Sequence, residues 1–261
     1  MKKTLLSTVS ALVMLGVVSH AEAGTTNFTA KQQEQIGQIA ANYLLEHPEI
    51  LIQVSQKLRA KEQQEQQAHL VTSAVKMQKS LMDLQGIPHS GPKNAKVTVT
   101  EFFDYQCFYC NKMAPVIEQV MKKNPNVKFI FRDWPIFASR WKNSAVAAQT
   151  GLAVWKQKGV KAYLSYHNGI YGTGHNEGKL KQSDITQVAQ KALSGKLKNI
   201  SDKAYRQIVN KNNVLARTLG FSGTPGLIIM PSKNATTKNT VVIGGAVPAR
   251  VLQAAIDKAS H

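Results

Sequence analysis

The chain has 261 residues, with 33 Lys and Arg against 15 Asp and Glu and a formal net charge of +18 at pH 7. The excess charge lies in residues 89–261, which hold 25 Lys and Arg and eight Asp and Glu, whereas residues 24–88 hold six of each. The lysines are spread along the chain without a recognised nucleic-acid motif, so we expect no nucleic-acid partner. The length allows a full core plus an accessory region, and the uneven charge predicts that the two have separate roles.

Residues 1–23 have the pattern of a secretory signal peptide. Met1-Lys2-Lys3 is positively charged, Leu5 to Val18 is a short apolar stretch, and Ala21-Glu22-Ala23 fits a small-x-small cleavage site. The pattern predicts a mature chain that starts near Gly24 and is exported to the periplasm, an oxidising compartment where disulfides persist. The alternative is an uncleaved anchor, although the apolar stretch is short for a membrane span.

Residues 24–88 read as an N-terminal helical region and linker. Two sets of apolar residues recur at helical spacing, before and after Pro48, which suits the first turn of a second helix: Ile36, Ile39, Ala40, Tyr43 and Leu44, then Ile50, Leu51, Val54 and Leu58. Helices of this size cannot bury their apolar faces alone. We therefore expect a homo-oligomer and favour a dimer. A trimer and an arm folded back on its own domain are the alternatives.

The only two cysteines form the segment Cys107-Phe108-Tyr109-Cys110. A predicted strand, Val97 to Phe103, precedes the pair, and a predicted helix, Asn111 to Lys123, follows it. A Cys-x-x-Cys at the start of a helix is typical of a thiol–disulfide exchange site, because the free N–H groups and partial positive charge there favour a thiolate. A structural disulfide closing so short a loop would stabilise little. A metal site would need further ligands, and the histidines are scattered, so we expect no metal.

Residues 89–261 predict an α/β domain that follows the Gly- and Pro-containing segment 85–93. Thr98 to Phe103 and Val127 to Phe131 look like buried strands on either side of the Cys-x-x-Cys helix. Two further strands, Leu227 to Met230 and Val241 to Gly245, and a closing helix, Pro248 to Lys258, end the chain. Between the second predicted strand and the strand that starts at Leu227, about residues 141–218, the pattern predicts four helices: 144–157, 162–171, 183–193 and 201–219.

Two motifs together resemble the DsbA family of thioredoxin-fold proteins. They are Glu101-Phe102-Phe103-Asp104-Tyr105-Gln106-Cys107-x-x-Cys110 and, far downstream, Gly223-Thr224-Pro225. The resemblance covers about residues 90–261, and the N-terminal extension resembles that of oligomeric DsbA-like proteins. It implies a thioredoxin fold with a helical insertion, preceded by an α-helical oligomerisation region. It also implies a protein disulfide oxidoreductase or isomerase with no cofactor other than the redox-active pair.

The resemblance implies roles for the residues around the two cysteines. The Thr224-Pro225 bond is expected to be cis and to lie against Cys107, with the Thr224 backbone pairing with a client strand. Glu101 is expected to lie buried beneath the cysteines and to assist proton transfer, since burial raises a carboxyl pKa. The alternatives are an ordinary turn at Pro225 and a surface position for Glu101. Further groups that could tune the site are Asp104, Arg132 and Asp133.

Phe108-Tyr109 departs from the Pro-His of strongly oxidising DsbA proteins. Without that His the Cys107 thiolate is less stabilised, which predicts a weaker oxidant with a lower reduction potential. The two aromatics could instead bind unfolded clients. Expected partners are unfolded or misfolded exported proteins and a membrane redox partner. The alternative function is a non-catalytic chaperone-like or surface-associated binding protein on a thioredoxin scaffold.

Overall fold

The computed structural model describes residues 28–198 and 203–261, so the predicted signal peptide lies outside the described residues. The helices are α1 (Ala30–Glu46), α2 (Glu49–Lys76), α3 (Gln78–Leu81), α4 (Phe108–Lys123), α5 (Asn143–Gly172), α6 (Gln182–Leu193), α7 (Lys203–Leu219) and α8 (Ala249–Ala259). The strands are β1 (His89–Ser90), β2 (Val97–Phe103), β3 (Lys128–Asp133), β4 (Gly226–Pro231) and β5 (Val241–Gly244). The chain divides into two compact units between Arg59 and Ala60, inside α2.

The first unit contains α1 and the start of α2. Thr29 begins α1 with a capping box: the Gln32 N–H donates to Thr29 Oγ1 at 3.4 Å, and the Thr29 N–H donates to Gln32 Oε1 at 2.9 Å. No residue of α1 is buried. Most large apolar side chains in the described part of the unit are exposed, with Ile50 half-buried: Phe28, Ile36, Ile39, Tyr43, Leu44, Leu45, Leu51, Ile52, Val54 and Leu58. A helix pair with so much exposed apolar surface lacks a core of its own.

The second unit is built on a five-stranded sheet in the order β1-β3-β2-β4-β5. β2 and β3 are parallel and joined through α4, and the other neighbouring strands are antiparallel. All seven residues of the central strand β2 are buried, which explains its nearly continuous apolar sequence. This βαβ unit places the start of α4 at the carboxyl end of β2.

Each face of the sheet has its own core, because successive strand side chains point to opposite faces. Phe103 of β2 packs with α4, α5, α6 and α8 on one face. Its neighbour Phe102 packs on the other face with α7 and with Leu70, Ala74 and Leu81 of α2 and α3. Residues 70–81, although within the predicted N-terminal region, are thus part of the core of the second unit.

Arg132 of β3 links residues 80–83, which follow α2, to Asn212 of α7. Its guanidinium donates to the carbonyl oxygens of Ser80, Leu81 and Asp83 at 3.1, 2.9 and 3.0 Å, and to Asn212 Oδ1 at 3.1 Å. Burial lowers the pKa of Arg132 to about 10, a value at which it still carries its charge at neutral pH. The side chain therefore holds the segment after α2 on the sheet, on the face opposite Phe103, and does not tune the cysteines directly.

The inserted helices agree with the sequence prediction within a few residues. The two helices predicted over 144–157 and 162–171 follow each other directly within α5. They meet at a kink at Gly159, whose φ of 71° and ψ of −161° are not helical. The predicted helix over 201–219 is described from Lys203 onward. In the described part of the chain, no helix is both long enough and apolar enough to cross a membrane.

Candidate active site

Cys107 is the residue immediately before α4. Its sulfur accepts a hydrogen bond from the Cys110 N–H at 3.4 Å and lies 3.3 Å from the main-chain oxygen of Thr224. The Cys110 thiol, more than any other group, lowers the pKa of Cys107 to about 6; burial opposes this, and the N–H groups of Cys110 and Tyr109 add to it. A pKa below 7 makes Cys107 predominantly a thiolate at neutral pH, and the thiolate is the nucleophilic form.

Cys110 has the opposite electrostatic environment one turn into the helix. Its side chain is completely buried, and burial raises the thiol pKa well above its ordinary value, with the Cys107 sulfur adding to the effect. Cys110 is therefore a thiol when Cys107 is a thiolate. Both cysteines are buried, with Cys107 4% and Cys110 0% exposed, so the opposite pKa shifts, and not a difference in exposure, separate an attacking thiolate from a resolving thiol.

The second motif meets the first at this point. The Thr224–Pro225 peptide bond is cis, and the turn brings the Thr224 carbonyl against Cys107. Pro225 leads directly into β4, whose Gly226 pairs with Phe102 of β2. The antiparallel pairing of β2 with β4 is thus what brings residues more than a hundred positions apart in the sequence to one site.

Two aromatic side chains are exposed beside the cysteines. Phe108 is 41% exposed and Tyr109 is 62% exposed, and their ring centroids lie 5.5 Å apart. The Lys112 ammonium lies 5.2 Å from the Phe108 ring centroid. Together they form a small apolar surface with a cationic edge at the entrance to the reactive sulfur.

Glu101 lies on β2, on the sheet face that carries α4 and the cysteines. It is 2% exposed, so the alternative of a surface position does not hold, and its Oε2 has no hydrogen-bond partner among the described residues. Burial, together with the charge of Cys107, raises its pKa to about 8. A carboxyl that gains and loses its proton near neutrality is suited to general acid–base work.

Asp104 and Asp133 are two further buried carboxyls near Glu101. Asp104 accepts hydrogen bonds from the N–H groups of Gln106 and Phe137 and from the Ser144 hydroxyl, so it shapes the turn before Cys107. Neither oxygen of Asp133 has a partner among the described residues. Burial, followed by the charges of Asp104 and Glu101, raises the Asp133 pKa well above its ordinary value, which favours the protonated form of this carboxyl.

Sequence reasoning missed the contacts that support the turn before the cysteines. Gln106 accepts hydrogen bonds from the Glu177 N–H at its main-chain oxygen and from the Gly178 N–H at its side chain, both at 2.9 Å. The Tyr171 hydroxyl donates to the Asp104 main-chain oxygen at 3.2 Å. The glycine at position 178 was the only local signal in the sequence. Its φ of 93° favours glycine, and a side chain there would also collide with Trp141. Trp141 and Trp134 are packing residues.

No three His, Cys, Asp or Glu side chains are grouped to hold a metal ion within residues 28–198 and 203–261.

Comparison with known families agrees with this geometry. The thioredoxin family matches residues 83–241. The chain belongs to this thioredoxin family. The copper resistance protein ScsC N-terminal domain matches residues 32–65, within α1 and α2. The predicted DsbA-like thioredoxin fold with an N-terminal helical region is confirmed, and the comparisons add a similarity to ScsC.

Three solved structures resemble between 72% and 89% of the chain. BcfH of Salmonella enterica Typhimurium is 37% identical with a TM-score of 0.77, covering 88% of this chain and 97% of that one. ScsC of Proteus mirabilis in a transitional conformation is 25% identical with a TM-score of 0.60, covering 89% and 99%. The thiol-disulfide exchange protein alpha-DsbA2 of Wolbachia pipientis is 26% identical with a TM-score of 0.60, covering 72% and 95%.

A curated relative matches only through part of its length. The Na(+)/H(+) antiporter NhaA 1 of Salinispora arenicola is 22% identical over 160 residues, which are 60% of this chain and 24% of that protein. The chain thus spans about a quarter of the length of that relative.

Proposed function

We propose that this thioredoxin-family protein is a periplasmic protein thiol–disulfide oxidoreductase that forms or isomerises disulfides in exported proteins. The observation that carries the proposal is the opposite displacement of the two thiol pKa values, to about 6 for Cys107 and far upward for Cys110. The similarity to a thiol-disulfide exchange protein supports it. The signal-peptide pattern of residues 1–23 supports the location.

The chemistry follows from the two sulfurs. The Cys107 thiolate attacks one sulfur of a client disulfide, so that bond breaks, a mixed disulfide forms, and the other client sulfur leaves as a thiolate. In isomerisation a second client thiolate attacks the client sulfur and releases Cys107. In reduction Cys110 loses its proton and attacks the Cys107 sulfur of the mixed disulfide. The Cys107–Cys110 bond forms, the bond to the client breaks, and the client sulfur leaves as a thiolate, so the pair is oxidised and the client disulfide is reduced by two electrons. In oxidation of a client the same steps run in reverse, from a client thiolate attacking Cys107.

The reduction potential of the Cys107–Cys110 pair tests the proposal. A thiolate with a pKa of about 6 is stabilised less than that of the strong oxidant DsbA, whose pKa is about 3.5. Equilibration with glutathione buffers should therefore give about −180 mV or lower, and not the roughly −120 mV of DsbA. A pair that never equilibrates would remove the exchange function and favour the binding-protein alternative.

Client recognition is proposed to use the surface beside Cys107. Phe108 and Tyr109 offer exposed apolar area that suits unfolded or misfolded exported proteins, whose own apolar side chains are uncovered. The Thr224 backbone next to the sulfur is placed to pair with an extended client. A membrane redox partner that returns the pair to its working state completes the cycle.

The first unit is proposed to make the protein a homo-oligomer. Its apolar side chains, among them Ile39, Leu45 and Ile52, are 69%, 79% and 61% exposed and need a partner surface. A second copy presents the same surface with the same chemistry, and the dimer is the simplest closed arrangement. Several Cys107 sites held in one assembly would suit isomerisation and would shield the sites from a membrane oxidase.

Removal of the first unit tests this assembly. A chain beginning at Ala60 keeps the buried residues of α2 and α3 and should be monomeric in light scattering, whereas the full chain should be a dimer or trimer. The shortened chain should lose isomerase activity and gain coupling to the membrane oxidase. Its Cys107–Cys110 potential, measured in the same buffers, is the control for an intact second unit. A shortened chain with the same number of subunits as the full chain, or with the same activity profile, would contradict the proposal.

A further inference from the structure

A second pocket lies at the end of the central strand that is remote from the cysteines. Its volume is about 590 Å³, within the range of ligand-binding clefts. Thr98 near the start of β2, Pro231 at the end of β4 and the residues that follow α8 line it. Cys107 follows the other end of β2. Since the seven residues of that strand span about 20 Å, a ligand in this pocket does not touch the reactive sulfur.

The charged side chains that line this pocket are all lysines. They are Lys93, Lys96, Lys128 and Lys233, which define the lysine pocket, and no Asp or Glu lines it. Lys93, Lys96 and Lys233 are exposed, and none of the four ammonium groups has a carboxylate partner within residues 28–198 and 203–261. A terminal carboxylate on His261, which also lines the pocket, would offset one of the four charges. Like charges that share a concave site repel one another, and a bound anion relieves that repulsion.

The acidic residues nearest to the lining in sequence are engaged elsewhere. Asp83 Oδ1 accepts a hydrogen bond from the Gln85 N–H at 3.2 Å, and Asp257 Oδ1 accepts one from Gln253 Nε2 at 2.9 Å. Neither carboxylate lines the pocket. The positive potential of the lysine pocket is therefore not neutralised by neighbouring side chains.

Two polar side chains of the pocket are held in place with donors to spare. Lys128 Nζ donates to the main-chain oxygen of Lys93 at 2.9 Å, which fixes one ammonium group in the wall. Asn239 Oδ1 accepts from the Thr236 N–H at 2.7 Å and from its hydroxyl at 3.0 Å. With its oxygen occupied, the Asn239 amide has its Nδ2 donors left for a ligand. Ammonium and amide donors together are what an oxyanion requires.

The walls of the pocket restrict the kind of anion. No Phe, Tyr or Trp lines it, so the bases of a nucleic acid find no surface on which to stack. Lysine binds phosphate as a point charge, whereas planar carboxylates are matched best by the fork of arginine, and no Arg lines the pocket. Four point charges in one concave site favour a ligand with several phosphate oxygens over a single carboxylate.

We infer that the lysine pocket binds phosphate groups, two or more at a time, supplied by a free oligophosphate or by the headgroups of an anionic lipid surface. The inference does not depend on the exchange function, since the pocket and Cys107 lie at opposite ends of β2. For the same reason, a second unit held on a phosphate-bearing surface by these lysines turns its reactive sulfur away from that surface.

Calorimetric titration of the protein with inorganic tripolyphosphate tests the chemistry of the pocket. The double variant Lys93→Gln/Lys233→Gln should bind tripolyphosphate about tenfold more weakly than the wild type, because two exposed ammonium groups are lost. The matched control is Lys161→Gln/Lys191→Gln, which removes two exposed lysines of α5 and α6 outside the pocket. Its net charge falls by the same amount, and it should bind as the wild type does. Equal rates of disulfide exchange with dithiothreitol would show that all three proteins are folded.

Co-sedimentation with vesicles distinguishes the two sources of phosphate. The vesicles contain equal parts of phosphatidylglycerol and phosphatidylcholine, with pure phosphatidylcholine as the blank. Weaker sedimentation of the pocket variant than of the control variant supports the inference and assigns the phosphates to a lipid surface. Equal sedimentation of both variants, with tripolyphosphate binding weakened only in the pocket variant, supports it and assigns them to a free oligophosphate.

Two results would overturn the inference. Equal losses of binding in the pocket variant and in the control variant would show that the general positive charge of the chain accounts for binding. A wild-type protein that binds no tripolyphosphate, and whose sedimentation with vesicles does not depend on the pocket lysines, would show that the pocket holds no phosphate. Neither result would bear on the exchange function.

Discussion

Replacing Cys110 by alanine should convert the protein into a trap for its clients. With Cys107 still a thiolate at neutral pH, attack on a client disulfide proceeds, but no resolving sulfur remains to close the intramolecular disulfide. Cells that export Cys110→Ala in place of the wild-type chain should accumulate covalent adducts of higher mass. Dithiothreitol should release these adducts on non-reducing gels, and mass spectrometry of the released chains would identify the clients.

Cys107→Ser is the control that shows whether trapping requires the Cys107 sulfur. Serine cannot form the mixed disulfide, and the remaining Cys110 is fully buried with a strongly raised pKa, so this variant should trap no client and should lose exchange activity. Adducts formed equally by both variants would show that Cys110 is accessible, which would contradict the assignment of attacking and resolving sulfurs. The absence of adducts with Cys110→Ala would count against exchange with exported proteins.

The reactive pair was predictable because its signals are local. A Cys-x-x-Cys between an apolar strand and a helix predicts which residue is the nucleophile and that it lies at the start of a helix in a βαβ unit. None of this requires knowledge of tertiary contacts. The structure moves the helix start from Asn111 to Phe108, directly after Cys107. Thr224–Pro225 was placed at the site only through the resemblance, because its contact with Cys107 depends on the pairing of β2 with β4.

The extent of α2 was harder to predict. Lys61 to Gln67 is polar on every side, which predicts a solvated helical stretch, and α2 does include it. The pattern gives no sign that the helix then runs on to Lys76 and enters the core of the second unit through Leu70 and Ala74. The position of Arg132 on the face opposite the cysteines follows from strand alternation, but its three carbonyl partners belong to a segment some fifty residues away. Such long-range contacts leave no local sequence pattern.

Replacing Glu101 by glutamine should slow the resolving step and change its dependence on pH. Cys110 must lose a proton to attack Cys107, and the ionised Glu101 carboxylate is the buried base on the same face of the sheet. General base catalysis of this kind contributes about 10² or more, so Glu101→Gln should close the disulfide about a hundredfold more slowly at pH 7. The wild-type rate should rise with pH and bend near pH 8, the pKa of the carboxyl, above which most of the carboxyl is ionised. The variant, which depends on hydroxide, should show no bend.

Rapid-quench measurement of disulfide closure from a preformed mixed disulfide between pH 5 and 10 would record both profiles. The Cys107 thiolate is absent in the mixed disulfide, so the bend should fall somewhat below pH 8, although burial, the larger cause, remains. Glu118→Gln is the matched control, because Glu118 is a partly exposed carboxylate of α4 that pairs with Lys122 at 2.7 Å. A bend that persists in Glu101→Gln would assign the titration to another group. The first candidate would be Asp133, which is also a buried carboxyl with a raised pKa.

Equilibrium unfolding of the reduced protein gives the same carboxyl an independent signature. The pKa of Glu101 is about 8 when folded and 4.5 in its ordinary state, so between these values the folded protein holds a proton that the unfolded chain has lost. The free energy of unfolding must therefore fall as pH rises from 4.5 to 8, by about 5 kcal/mol for this group, and stay level with respect to it above pH 8. Glu101→Gln removes this fall, so its stability relative to the wild type should increase across that window. A variant that follows the wild-type curve would show that Glu101 has an ordinary pKa, so that a bend near pH 8 in the rate of disulfide closure could not be its titration.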